Sequence, residues 1–116
     1  MDIETIRNIC MALPNVTEAI KWGNDLCFMV HGKMFCVVPV EGVFTVALKV
    51  TEDEFGELCN LPGIRPAPYV AKYKWVLVED TTIFNRQKWE QYIAQSHGLV
   101  LAKLVAGKPA RLKPKP

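Results

Sequence analysis

Residues 26–37 read Leu26-Cys27-Phe28-Met29-Val30-His31-Gly32-Lys33-Met34-Phe35-Cys36-Val37. Two apolar runs flank His31-Gly32. Glycine adopts the left-handed conformation of a two-residue turn without steric cost, and histidine tolerates it better than most residues. The stretch therefore predicts a β-hairpin with that turn at its tip. Its register would pair Val30 with Lys33, Met29 with Met34, Phe28 with Phe35 and Cys27 with Cys36.

The rest of the chain predicts an α+β fold around this hairpin. The elements are a helix over 2–13 capped by Asp2, strands at 17–22, 44–50 and 73–79, a helix opened by the capping box of Thr51 and Glu54, an extended loop at 65–68, and a helix from about Arg86 to Val105 capped by Asn85. Gly98 costs about 1 kcal/mol relative to alanine and favours a break near residues 96–98. Consecutive strands favour a two-layer arrangement, in which helices pack on one face of an antiparallel sheet of about four to five strands.

Composition is typical of one soluble domain. The chain has 116 residues, of which 50% are apolar and 22% charged. No apolar run approaches the roughly 20 residues of a membrane-spanning helix. Residues 1–4 place no basic region ahead of an apolar stretch, so no secretory signal is expected and a cytoplasmic location follows. We expect residues 1–106 to form a single domain and residues 107–116 a flexible basic tail.

Charge is distributed unevenly along the chain. Residues 103–116 hold five basic residues and no acid, a net charge of +5, whereas residues 1–102 hold nine basic and twelve acidic residues, a net charge of −3. A strongly basic body of the kind that coats nucleic acid is therefore excluded. Any nucleic-acid site would have to be a local patch or the tail.

The four cysteines are Cys10, Cys27, Cys36 and Cys59. None belongs to a Cys-x-x-Cys pair, and no histidine lies at zinc-ligand spacing from them. They are expected to be reduced and mostly buried, as in cytoplasmic proteins. The predicted hairpin register leaves open a cross-strand disulfide between Cys27 and Cys36.

Two segments carry a resemblance to a known family. They are Trp22-Gly23-x-Asp25 followed by Val30-x-Gly32-Lys33-Met34-Phe35, and Pro66-Ala67-Pro68-Tyr69 followed by Lys74-Trp75-Val76. The chain resembles the MmcQ/YjbR family of small bacterial proteins over about residues 2–106. His97 replaces an aromatic residue of the family's C-terminal helix. The resemblance implies a frataxin/CyaY-like α+β fold and a DNA-binding role with a double-wing mode of contact.

A basic and aromatic segment gives the candidate binding site. The candidate residues are Lys33, Arg65, Tyr69, Lys72, Lys74 and Trp75. Basic groups neutralise phosphates while aromatic rings stack on bases, and Lys33 at the hairpin tip would form a wing. The alternative is that Tyr69 and Trp75 belong to the core and that the lysines keep an edge strand soluble.

Other functions have weaker support in the sequence. Asp25 and His31 are candidate acid–base residues, but both fit turn positions better. Glu52, Asp53, Glu54 and Glu57 form an acidic cluster, which the positive end of a helix dipole would stabilise without any metal. We therefore predict a DNA-binding protein of low sequence selectivity, with no catalytic residue, metal or cofactor and no membrane partner. The alternative is a non-catalytic interaction domain that uses an exposed sheet face around Phe28 and Phe35.

Overall fold

The computed structural model describes residues 1–107 as three helices and six strands. In chain order these are α1 (Ile3–Met11), β1 (Val16–Lys21), β2 (Asp25–Val30), β3 (Lys33–Pro39), β4 (Val46–Lys49), α2 (Glu52–Leu58), β5 (Ile64–Pro66), β6 (Trp75–Val78) and α3 (Arg86–Gly107). Short 3₁₀ turns lie at Ala71–Tyr73 and Thr81–Ile83. No helix within residues 1–107 combines the length and apolarity needed to cross a membrane.

All six strands form one antiparallel sheet in the order β1-β2-β3-β4-β6-β5. The α+β class is confirmed, but the predicted count of four to five strands is too low. The difference is β5, which overlaps the start of the predicted loop and pairs Ile64 with Val78 and Arg65 with Leu77. The predicted flexible tail lies outside the described residues, apart from Gly107, which ends α3.

The predicted helix starts are confirmed by their caps. The Asp2 carboxylate accepts a hydrogen bond from the Thr5 amide at 2.9 Å. The capping box forms in both directions between Thr51 and Glu54. The Asn85 side chain accepts from the third amide of α3 at 2.8 Å. These bonds satisfy amides that have no partner within the helix.

The core lies between the helices and one face of the sheet. Every second residue on β4 and β6 is buried there, as are residues of all three helices. Its members include Ile6, Val46, Leu48, Leu58, Val76, Val78, Trp89 and Ile93. The helices thus pack on one sheet face, as predicted, and none of the three helices of residues 1–107 packs across the opposite face.

A β-bulge changes the predicted hairpin register. His31 and Gly32 form the turn with φ of 49° and 80°, and the pairs Val30–Lys33 and Met29–Met34 form as predicted. Beyond them the register shifts, so that Phe28 pairs with Cys36 and Cys27 with Val37. The predicted Phe28–Phe35 and Cys27–Cys36 pairs are therefore wrong, because one extra residue in β3 turns both Phe35 and Cys36 toward the core. With Cys27 on the opposite face, the cross-strand disulfide is excluded.

Buried polar contacts carry α3 through the predicted break. The Ser96 hydroxyl donates to the Phe35 carbonyl at 2.6 Å and accepts from the Lys49 amide at 2.9 Å. His97 Nε2 donates to the Pro14 carbonyl at 2.9 Å. Gly98 is exposed, and the helix continues through it to Gly107. Ser96 thereby ties the bulge in β3 and the end of β4 to α3.

Candidate nucleic-acid interface

The sheet face opposite the core helices holds an apolar hollow of about 700 Å³. Its floor comes from neighbouring strands, with Val37 of β3 paired to Ala47 of β4, and Ala47 paired to Leu77 of β6. These residues alternate with the buried core positions, so strand periodicity directs them to this face. Within the described chain, the only carboxylate that lines this hollow is Asp25.

A second hollow of about 460 Å³ adjoins the first one. Both are lined by Met34, Val70 and Trp75. The second hollow lies where β3 begins, β4 ends and β6 begins, and the last turns of α3 close its side with Val100 and Leu104. We call the two hollows together the sheet-face groove.

Four lysines from four segments meet at this end of the groove. Lys33, Lys49 and Lys103 line the smaller hollow together with Tyr73. The Lys72 and Lys103 ammonium groups lie 5.1 Å and 5.3 Å from the Tyr73 ring centroid. The Lys49 ammonium group donates to the Tyr73 backbone carbonyl. We call these four residues, Lys33, Lys49, Lys72 and Lys103, the lysine cluster.

The cluster lysines form no salt bridge with a carboxylate of residues 1–107. The salt bridges within residues 1–107 are Arg7–Glu18, Arg65–Glu79 and Arg86–Glu90, and none involves a cluster lysine. Burial lowers the pKa of Lys49, and the nearby charges of Lys103 and Lys74 lower it further. Mutual repulsion of this kind is relieved when an anion binds.

Two exposed aromatic side chains flank the larger hollow. Trp22 is 72% exposed and Tyr69 is 98% exposed, and both line the groove. Trp22 follows β1 and Tyr69 follows β5, so the rings approach from opposite edges of the sheet. Their φ angles are 53° and 69°, a left-handed conformation that is uncommon for bulky residues and clusters at functional sites.

A family model described as YjbR matches residues 11–99, which include most of the groove. The chain belongs to the YjbR family. Among solved structures, the Deinococcus radiodurans protein DR2400, titled as a DUF419 domain, matches with a TM-score of 0.76 and 22% identity over 84% of this chain and 77% of that one. A Pseudomonas syringae protein matches with a TM-score of 0.69 and 19% identity over 85% and 98%. Such identities show a shared fold alone. No curated protein matches the sequence significantly.

In this YjbR protein, four of the six predicted site residues gather around the groove. Lys33 and Lys72 belong to the lysine cluster, and Tyr69 is the exposed ring described above. Trp75 lines both hollows but is only 6% exposed, so it shapes the wall and offers little ring surface. The alternative, in which both rings belong to the core, is confirmed for Trp75, which is buried, and wrong for Tyr69, which is exposed. The strand that follows Lys74 is not an edge strand, because β6 lies between β4 and β5, whereas Arg65 does lie on the edge strand β5.

The other two predicted residues are engaged elsewhere. The Arg65 guanidinium contacts the Glu79 carboxylate at 2.9 Å along β5 and β6. The Lys74 ammonium group lies 5.1 Å from the ring centroid of Phe55 in α2. Neither side chain lines the groove, although the positive charge of Lys74 contributes to lowering the pKa of Lys49.

Sequence reasoning did not select Lys49, Lys103 or Trp22 as binding residues. Lys49 follows the apolar Leu48 on β4. This alternation indicates that the Lys49 side chain points away from the core, but it does not indicate which residues lie near that side chain. Lys103 lies 54 positions from Lys49 in the sequence, and only the packing of α3 beside β4 brings them together. Trp22 belongs to a segment that resembles the family, but no pattern in the sequence indicates that its side chain is exposed.

Of the remaining candidates, Asp25 begins β2, where a turn position was predicted, and lines the larger hollow. The others fall outside the groove or have structural roles. His31 is exposed at the hairpin tip. Glu54 accepts hydrogen bonds from the Thr51 amide at 3.1 Å and the Gln95 side chain at 2.7 Å. Within residues 1–107, no group of three or more histidine, cysteine or acidic side chains is arranged to hold a metal ion. The exposed face predicted around Phe28 and Phe35 is wrong, because both rings are fully buried under the helices.

Proposed function

We propose that this protein binds nucleic acid, with DNA as the expected partner, through the lysine cluster and the exposed rings beside it. The observation that carries the proposal is the convergence of Lys33, Lys49, Lys72 and Lys103 beside Tyr73 without a carboxylate partner in the described chain. A polyanion supplies several charges at the spacing of neighbouring phosphates and releases its condensed counterions on binding. A single small anion would neutralise only part of the cluster.

Low sequence selectivity follows from the type of residue present. Lysine contacts phosphate as a point charge on a flexible stem and carries no base information. The walls of the groove are largely apolar, with Val37, Ala47 and Leu77 offering no side-chain donor or acceptor for a base edge. Affinity is therefore expected to depend on salt more than on sequence.

Two lysines of α3 provide a matched test. Lys103 lies over Tyr73 at 5.3 Å and Lys88 lies over Tyr92 at 5.6 Å, so both are exposed helix lysines above a tyrosine ring. They are about 22 Å apart along the axis, at about 1.5 Å per residue. We expect Lys103→Gln to weaken binding of a labelled oligonucleotide about two- to five-fold. The slope of log affinity against log salt should become shallower by about 0.7–0.9.

Lys88→Gln should leave both the affinity and the salt slope unchanged, because Lys88 is remote from the cluster. Fluorescence anisotropy over a salt series measures both quantities. Equal losses in the two variants would show diffuse attraction and refute the lysine cluster as the site. No binding by the unchanged protein at low salt would refute the function itself.

The apolar floor of the groove favours a second function, that of a non-catalytic interaction domain for a protein or small apolar ligand. The larger hollow has the volume of a small-molecule site and a largely apolar lining. This function predicts binding that is insensitive to salt and unaffected by Lys103→Gln. The same salt series therefore separates the two functions.

We also propose a cytoplasmic location and a frataxin/CyaY-like classification of the fold. The location is supported by four free cysteines in the described chain, as expected in a reducing compartment. The classification is supported by the placement of α1 and α3, one before and one after the strands, on the same face of an antiparallel sheet. Protease protection in cell fractions would test the location.

A further inference from the structure

We infer that the sheet-face groove binds unpaired bases, so that the preferred ligand of this protein is single-stranded nucleic acid. The inference rests on the nucleic-acid-binding function proposed above and specifies its ligand. It depends on the relation between two features, the lysine cluster at one end of the groove and the apolar, ring-flanked hollow that continues from it.

The groove runs away from the lysine cluster across the sheet. Lys33 is the first residue of β3 and lies at the cluster end. Pro39, the last residue of β3, pairs with Asp25, and Trp22 lies three residues before Asp25 in the sequence. Trp22 therefore lies at the opposite end of the strands from the cluster. A strand whose phosphates bind the cluster can continue over the apolar floor toward Trp22.

The floor suits bases and not phosphates. The side chains of Val37, Ala47 and Leu77 would strip water from a phosphate without offering a hydrogen bond, and this desolvation is unfavourable. A duplex exposes phosphates on its outside and keeps its base faces stacked within. A single strand can turn its base faces into the groove, where burial of apolar surface and ring stacking are favourable.

Trp22 and Tyr69 supply the ring surfaces that stacking needs. Both side chains are largely exposed at the groove, and neither makes an aromatic pair or cation–π contact within residues 1–107. Their left-handed backbones hold large apolar groups in water at a conformational cost, which a stacked base would offset.

Charge continuity favours a polymer over a small amphipathic anion. α3 ends at Gly107, one helical turn beyond Lys103. The sequence that follows carries Lys108, Arg111, Lys113 and Lys115 and no acid. The full sequence therefore adds four positive charges to those of the described residues, and a net positive charge of this kind favours a long polyanion.

The test compares three labelled probes with the full-length chain. They are a strand of about ten thymidines, the duplex of that strand with its complement, and an abasic strand of equal length, since site sizes of single-strand binders are roughly 4–16 nucleotides. We expect the thymidine strand to bind more tightly than both others. Tyr69→Ala and Trp22→Ala should each weaken its binding about ten-fold and leave abasic binding unchanged.

Two variants control for ring chemistry and exposure. Tyr69→Phe should bind as the unchanged protein does, because stacking needs the ring and not the hydroxyl. Val43→Ala, at a residue 82% exposed that lines neither hollow, should also have no effect. Far-ultraviolet circular dichroism verifies that each variant is folded.

Duplex binding at least as tight as single-strand binding, with no effect of Tyr69→Ala or Trp22→Ala, would overturn the inference and leave the lysine cluster as a DNA site. Failure of all three probes would overturn the proposed function as well. A dimer that Trp22→Ala dissociates, without loss of oligonucleotide binding, would assign the groove to a second copy of the chain and also overturn the inference.

Discussion

Ser96→Ala tests how the structure positions the lysine cluster. The Ser96 hydroxyl is fully buried and joins the Phe35 carbonyl in the bulge to the Lys49 amide at the end of β4. Alanine removes both hydrogen bonds and leaves a buried acceptor and a buried donor without partners. An unsatisfied buried group costs about 1–3 kcal/mol. We therefore expect a loss of about 2–4 kcal/mol in the free energy of unfolding.

Urea denaturation followed by circular dichroism measures this loss. With a slope of about 1.5 kcal/mol per molar, the midpoint should fall by about 1.3–2.7 M. Gln95→Ala is the matched control on the neighbouring residue. Gln95 makes one partly buried contact, with Glu54 at 2.7 Å, so its loss should cost about 1 kcal/mol or less. Equal midpoints for Ser96→Ala and the unchanged protein would refute the bridging role of Ser96.

Gly63→Ala should lower the free energy of unfolding by about 2–4 kcal/mol, because φ is +90° and a new Cβ would lie 2.8 Å from the Cβ of Asp80. Gly42 has the same φ of +90° but open space around it, so Gly42→Ala should lower the free energy of unfolding by about 1–2 kcal/mol. Equal midpoints for these two variants in urea would contradict the close contact. The hydrogen bond from Arg7 lowers the pKa of Glu18 below its ordinary value of 4.5, so the stability it contributes is present above about pH 4.5 and is lost as pH falls through the folded-state pKa. Arg7→Gln should therefore make stability less sensitive to acid, and an unchanged acid sensitivity would argue against this pairing. Cys59, which is partly exposed, should react with Ellman's reagent in the native protein before the three buried cysteines do. Simultaneous reaction of all four thiols would contradict the packing.

The elements that were predictable from the sequence depend on local chemistry. The His31-Gly32 turn, the Thr51–Glu54 capping box and the Asn85 cap each depend on residues within a few positions of one another. The bulge at Phe35 depends on contacts with α3, which is distant in sequence. The hairpin register that is predicted from the local sequence therefore lacks the bulge and is wrong beyond Met29. The continuity of α3 through Gly98 has the same origin, because tertiary hydrogen bonds of Ser96 and His97 outweigh helix propensity.

The candidate site was predictable only in part. Lys33, Lys72 and Tyr69 lie in segments whose composition marks a basic and aromatic surface, and the structure places them at the groove. Arg65 lies in a segment of the same composition, but its salt bridge with Glu79 depends on the pairing of β5 with β6. Pro66 and Pro68 predict an extended loop at this position, so β5 was not expected. Lys49 and Lys103 join the cluster through sheet order and helix packing, which no local pattern encodes.

The most direct measurement is a backbone amide NMR titration of the full-length protein with a short thymidine strand. We expect chemical shifts to change at Lys33, Lys49, Tyr69 and Tyr73 and along the groove floor, while α1 and the exposed face of α2 stay unperturbed. Shift changes confined to α1 or α2, or no changes at low salt, would contradict the claim that the lysine cluster and the sheet-face groove form a nucleic-acid-binding site.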